Sequence, residues 1–259
     1  MNIADIQRMK DEKRRIVEVT AYYYEMARIL SKAEPDLMLV GDSGGRFLLG
    51  HESNNDVTLD EMILMARSVR RGAPRTFVIA DMPFMTYQVS VEEGVRNAGR
   101  LMKETRADAI KLEGGAEFAP VVQRIVEVGI PVQAHMGLTP MASGMTGGAQ
   151  DGLSSAEDKL MRDALALQEA GAFSVILTGV TPEVAASMTK ALRIPTISGT
   201  GAGDNCDGDI AVVPGVLGWN ANELERPRAR YGPVARTIFD SVTSYIDDVR
   251  SGRPVRAGR

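Results

Sequence analysis

The sequence predicts an α/β chain closed into a (β/α)8 barrel, and three observations carry that prediction. The 259 residues suit one large core, since α/β barrels run roughly 200–250 residues undivided. Short apolar runs alternate with longer segments of helical period, as βα units around a parallel sheet require. The runs number eight, the count at which such units can close on themselves.

Taken in order, the run Ile16–Thr20 precedes helical spacing over Tyr24–Lys32, and Leu37–Val40 precedes Leu59–Arg71. Phe77–Ala80 leads to Val91–Glu104, Ala109–Leu112 to Phe118–Val128, and Val132–His135 to Ala156–Ala170. Ser174–Leu177 leads to Glu183–Leu192. Thr196–Ser198 is followed by Gly199–Asp209, too rich in glycine for a full helix. The eighth strand is expected at Ile210–Val213, with a last helix near Val234–Val249. A doubly wound open sheet is the alternative, because periodicity does not report closure. No linker, repeat or low-complexity tract divides the chain, so residues 1–259 are expected to form a single domain, ending in a short basic tail.

Composition narrows the function. Hydrophobic residues are 44% and charged residues 25%, which fits a packed globular chain and argues against disorder. Thirty basic against 34 acidic residues give a net charge of −4, no field for gathering nucleic acid or anionic membrane surfaces. The one cysteine, Cys206, has no intrachain partner, and the charged start MNIADIQRMKDEKRR lacks a secretory apolar run. Together with the absence of a long apolar stretch, these features point to a cytoplasmic protein.

A barrel carries its chemistry at the C-terminal ends of its strands. There the sequence places Asp42, Ser43 and two glycines after strand two, Asp81 after strand three, Lys111 and Glu113 at strand four, and His135 at strand five. Any one of these reads more simply as a cap, a turn or a satisfied core group. Their coincidence at one mouth points to a site. Three carboxylates converging without an excess of cations repel one another, and a divalent cation offsets that repulsion. Oxygen ligands favour Mg²⁺ or Mn²⁺ over zinc. The glycine pairs, including Gly147–Gly148, read as loop geometry, and Met82, Met85 and Met136 as candidate lining of a small apolar pocket.

The segments LVGDS (39–43), VTLDEM (57–62), VRRGAP (69–74), DMPFM (81–85), KLEGG (111–115), HMGLTP (135–140) and GAG (201–203) followed by CDG (206–208) together resemble the ketopantoate hydroxymethyltransferase family. The resemblance runs from about Thr20 to about Gly218. It implies a TIM barrel of the phosphoenolpyruvate mutase/isocitrate lyase superfamily and transfer of a one-carbon unit from 5,10-methylenetetrahydrofolate to 3-methyl-2-oxobutanoate in pantothenate synthesis. It further implies Mg²⁺, or Mn²⁺ or Co²⁺ in its place, and assembly as a homo-oligomer, a decamer. Carried over, Asp42 and Asp81 would hold the metal, with Glu113 bound directly or through water. Ser43 and Lys111 would position the 2-oxo acid, with His135 beside it. A metal chelated by such an acid acidifies its C3–H, and Lys111 offsets the developing charge.

The family's glutamate at the end of strand six is replaced: the corresponding stretch is Leu177-Thr178-Gly179-Val180-Thr181. Thr178, standing at the catalytic position, has no titration near neutrality and is no base by itself. Tyr23 stands where the family usually has aspartate, an extra residue lies in Ile197–Thr200, and Val213–Leu217 is apolar where a histidine–aspartate pair is usual. Three readings follow: a hydroxymethyltransferase or aldolase whose base has moved to His135, Tyr23 or a metal-bound water; a C–C lyase or decarboxylase on another 2-oxo acid; or a non-catalytic metal-binding homologue.

Overall fold

The computed structural model describes residues 1–141 and 157–253. The tail beyond residue 253, the Gly147–Gly148 pair and the expected helix start at Ala156 lie outside the described residues. The chain falls into two compact units, Met1–Ile210 and Ala211–Arg259.

Eight parallel strands form a closed barrel in sequential order: β1 (Ile16–Thr20), β2 (Leu37–Val40), β3 (Phe77–Asp81), β4 (Ala109–Glu113), β5 (Val132–Gly137), β6 (Ser174–Thr178), β7 (Thr196–Ser198) and β8 (Gly208–Ala211). The closed sheet decides against the doubly wound alternative. Helices α2 (Tyr24–Ser31), α3 (Leu59–Gly72), α4 (Val91–Thr105), α5 (Ala119–Glu127), α6 (Glu157–Glu169) and α7 (Pro182–Ala191) follow strands one to six. Strands β2, β3 and β4 are buried at every position, as strands covered on both faces should be.

An unexpected helix, α1 (Ile3–Asp11), opens the chain. Asn2 caps it: its side chain accepts from the Asp5 amide at 3.1 Å while Asp5 Oδ2 accepts from the Asn2 amide at 2.9 Å. Ile6 and Met9, three apart on one face, are buried against Ile16, Leu37, Phe77 and Phe173 at the strand starts, so α1 packs on the N-terminal end of the barrel.

Strand β8 lies two residues earlier than the expected Ile210–Val213. Val213 instead begins a short helical turn, α8 (Val213–Val216), with Pro214 in its first turn, where a missing N–H costs nothing. Closure runs through Gly208. A Cβ there would sit 2.5 Å from the Ile16 carbonyl oxygen and 2.7 Å from its Cβ, so only glycine lets β8 approach β1 so closely. Gly208→Val is expected to destabilise the barrel by about 1–3 kcal/mol through overpacking, and an unchanged melting temperature would contradict this account of closure.

The second unit carries α8, a 3₁₀ turn at Ala221–Leu224 and α9 (Val234–Arg250). Among the described residues no helix is long and apolar enough to cross a membrane.

Candidate active site

Register explains why the polar residues meet. Asp81 pairs with Lys111 across β3 and β4, Lys111 with Gln133 and Glu113 with His135 across β4 and β5. Paired residues of parallel neighbours share a face, and residues two apart on a strand stay on it. Asp81 and Lys111 therefore continue the inward rows begun by Ile79 and Ala109, which belong to the core. Apolar residues fill the lower barrel, and charges replace them toward the C-terminal mouth.

The centre of the site is the Lys111 ammonium, 2% exposed, which places it inside the barrel and not on its rim. Its Nζ lies 2.9 Å from Asp81 Oδ2 and 3.0 Å from Glu113 Oε1. Burial alone would pull its pKa down, but Asp81, Glu113 and Asp42 outweigh that and hold it well above the ordinary lysine value. It is charged at any working pH. Burial would likewise raise Glu113, but Lys111 and His135 hold that carboxyl well below the usual range. Asp42 and Asp81 go the other way: burial pushes both up, more than Lys111 can offset, and neighbouring carboxylates add to the rise.

Asp42 and Asp81 are joined directly, since the Asp42 amide donates to Asp81 Oδ2 at 3.1 Å, and Asn54 Nδ2 donates to Asp42 Oδ1 at 3.0 Å. Asp42 Oδ2 and Asp81 Oδ1 are buried without a hydrogen-bond partner. Two orphaned carboxylate oxygens on adjacent strand ends are a donor pair suited to a hard divalent ion that keeps its other positions for water and substrate. Glu113 does not join them, because Lys111 and His135 take its Oε1 and the Met141 amide donates to its Oε2 at 3.2 Å. Among the described residues no three His, Cys, Asp or Glu side chains form a metal-holding group by themselves.

His135 is fixed at both nitrogens. Nδ1 lies 2.9 Å from Glu113 Oε1, and Nε2 lies 2.8 Å from Thr178 Oγ1. With Glu113 ionised we assign the proton to Nδ1, so the Thr178 hydroxyl donates to Nε2. Lys111 Nζ is also 3.2 Å from Nδ1, but its protons are better used on the two carboxylates. Gly137 permits the approach of β5 to β6. Its φ is 103°, and a Cβ there would fall 2.0 Å from the Thr178 carbonyl oxygen.

Ser43, half-buried after β2, shares a 2.9 Å hydrogen bond with the phenol of Tyr22. Tyr23 stands at the N-cap position of α2, and burial raises its phenol above its ordinary value, so it is protonated near neutrality and unsuited to act as a base. Met82 and Met136 are buried, whereas Met85 is exposed.

Residues without a sequence signal complete the site. Tyr87 OH donates to the Glu113 carbonyl at 2.8 Å and accepts from the Glu113 amide at 3.0 Å, clamping the end of β4. Asn54 opens a single 3₁₀ turn, Asn54–Asp56, and Tyr87 lies in a bend after β3, segments too short for periodicity to mark them.

The profile of the family Ketopantoate hydroxymethyltransferase matches residues 1–254. A 3-methyl-2-oxobutanoate hydroxymethyltransferase of Pelobacter propionicus is 44% identical over 97% of this chain and 94% of its own length. One of the same name from Chloroflexus aggregans is 46% identical over 96% of this chain and 89% of its own. Among solved structures, a phosphonopyruvate hydrolase superposes with a TM-score of 0.65 at 13% identity, covering 98% of this chain and 89% of that one. A 2,3-dimethylmalate lyase of the PEP mutase/isocitrate lyase superfamily reaches 0.62 at 18%, covering 99% and 90%. Those two share the fold.

Proposed function

The chain belongs to the ketopantoate hydroxymethyltransferase family, and we propose that it transfers a hydroxymethyl group from 5,10-methylenetetrahydrofolate to the enolate of 3-methyl-2-oxobutanoate, in the cytoplasm, for pantothenate synthesis. The observation that carries the mechanism is the line Glu113–His135–Thr178, which supplies a base without the strand-six glutamate. Glu113 holds Nδ1–H and leaves Nε2 as the unprotonated nitrogen, which accepts from the Thr178 hydroxyl. His135 Nε2 takes the proton from C3 of the 2-oxo acid, and Glu113 stabilises the imidazolium that forms. Thr178 donates to Nε2 at rest and releases it when substrate enters. Lys111 and Ser43 hold the acid, Lys111 facing the oxygen on which enolate charge develops.

Asp42 and Asp81 would hold Mg²⁺ (Mn²⁺ or Co²⁺ in its place) through their orphaned oxygens; the bound ion would supply Lewis acidity toward the 2-oxo acid. The lyase or decarboxylase reading drew on Thr178 alone. His135 removes its motive, and relatives at 44% and 46% identity carry the hydroxymethyltransferase name.

The test is proton NMR of 3-methyl-2-oxobutanoate in D₂O with enzyme and Mg²⁺ but no folate. Loss of the C3–H signal is expected in the wild type, and His135→Asn is expected to slow it by about 10²-fold or more. Equal exchange in the variant would remove His135 as the base.

Assembly as a homodecamer belongs to the same reading. Helix α9 exposes Ile238, Phe239, Val242, Tyr245 and Val249, an apolar side that a second copy would cover. Light scattering of the full-length protein should give a multimer, and a monomer mass would overturn this part.

A further inference from the structure

A fourth carboxylate lies inside the barrel and takes no part in the chemistry above. Glu18, the middle residue of β1, is fully buried and sits opposite Leu37 of β2 on the inward face. Its Oε2 accepts from Gln133 Nε2 at 3.0 Å, and the same nitrogen donates to Ser174 Oγ at 3.2 Å. Gln133 is itself buried, pairs with Lys111 across β4 and β5, and precedes His135 by two residues.

Two oxygens of this group have no partner, Glu18 Oε1 and Gln133 Oε1. Both are acceptors, each the other half of a side chain already in contact through its first atom. Orphaned buried acceptors are expensive, and a single proton removes both. A protonated carboxyl accepts an amide N–H with one oxygen and donates O–H to the amide carbonyl with the other. The two atoms of each group are similarly spaced, so one contact brings the second into register.

We propose that Glu18 is protonated in the working enzyme and closes an acid–amide ring with Gln133 across the barrel interior, acting as a positioning residue for Lys111 and His135. The surroundings support this. Burial pushes the Glu18 carboxyl up to about 7, against the opposing pull of Gln133 and Lys111. Lys111 is the charged group whose field reaches it, and the contacts from β5 and β6, Gln133 and Ser174, are neutral. Kept neutral, Glu18 leaves the ammonium to Asp81 and Glu113, which aim it at the mouth. Ionised, it becomes a competing carboxylate beneath the ammonium and breaks the ring that anchors β5 below His135. The effect on turnover rests on Lys111 and His135 acting as proposed above; the protonation does not.

Infrared difference spectra of the full-length protein labelled with ¹³C-glutamate test the proton directly. At about pH 6, below the Glu18 value, the wild type should show the isotope-shifted carbonyl stretch of a protonated carboxylic acid. That band should be absent in Glu18→Gln and lost from the wild type by about pH 9. No such band at pH 6 overturns the proposal, whatever the activity. The pH profile tests the positioning role. The wild type is expected to show a decline in kcat through pH 7, and Glu18→Gln, which stays neutral and can keep the ring, should lose it. Glu18→Leu opens the ring and should have a kcat about tenfold below that of Glu18→Gln, at equal KM. A profile identical in Glu18→Gln and wild type, or equal kcat in the Gln and Leu variants, overturns positioning. Should Glu18→Leu fail to fold, the infrared band and the Glu18→Gln profile still decide.

Discussion

Lys111→Met is expected to lower kcat by roughly 10³-fold and to destabilise the fold by about 3–5 kcal/mol, two losses with one cause. The ammonium is the cation shared by Asp81 and Glu113, at 2.9 and 3.0 Å, and its field also reaches Asp42. Without it, buried carboxylates face one another uncompensated. The pH dependence has a definite sign. Burial already holds Asp42 and Asp81 above their ordinary values, and losing Lys111 raises them further. The folded variant then binds more protons than its unfolded chain, so its stability falls as pH rises. Urea unfolding should show the smallest deficit relative to wild type at acidic pH and a growing one toward neutrality. Wild-type stability in Lys111→Met at neutral pH would show that this ion cluster does not hold the barrel mouth together.

Asp81→Asn is expected to abolish turnover while leaving a folded barrel. Lys111 keeps Glu113 as its partner, and the amide nearly matches the carboxylate in shape. The decisive readout is binding. In the wild type, Mg²⁺ should raise the melting temperature, by an amount equivalent to about 2.7 kcal/mol at a hundredfold excess over Kd. Binding should also release protons and tighten as pH rises, because the raised carboxyls must ionise to ligate. Asp81→Asn removes one of the two orphaned oxygens, and both the thermal shift and the proton release should disappear. A Mg²⁺ shift of wild-type size in Asp81→Asn would place the metal elsewhere.

The βα rhythm was legible along the chain because parallel strands covered on both faces must be continuously apolar, and their amphipathic helices must repeat near 3.6 residues. Leu37–Val40 and Ser174–Leu177 could be placed on that basis alone. The eighth strand could not. Val212 and Val213 have the composition of a strand, yet Gly208, with no side chain to suggest one, is where β8 closes on β1. The capping of α1 was written in Asn2 and Asp5 but masked by the charges around it.

By itself the sequence determined which polar groups stand at the strand ends, Asp42, Ser43, Asp81, Lys111, Glu113, His135 and Thr178, because position along a βα unit is a local property. Only the tertiary structure decided their pairing. Closing and staggering the sheet puts Lys111 between Asp81 and Glu113, turns the two nitrogens of His135 to Glu113 and Thr178, and leaves single oxygens of Asp42 and Asp81 orphaned. It also brings Glu18 of the first strand to Gln133 of the fifth, 115 residues away along the chain. Hydrogen bonds between residues so far apart leave no spacing to read, since their geometry is set by the register of the strands between them.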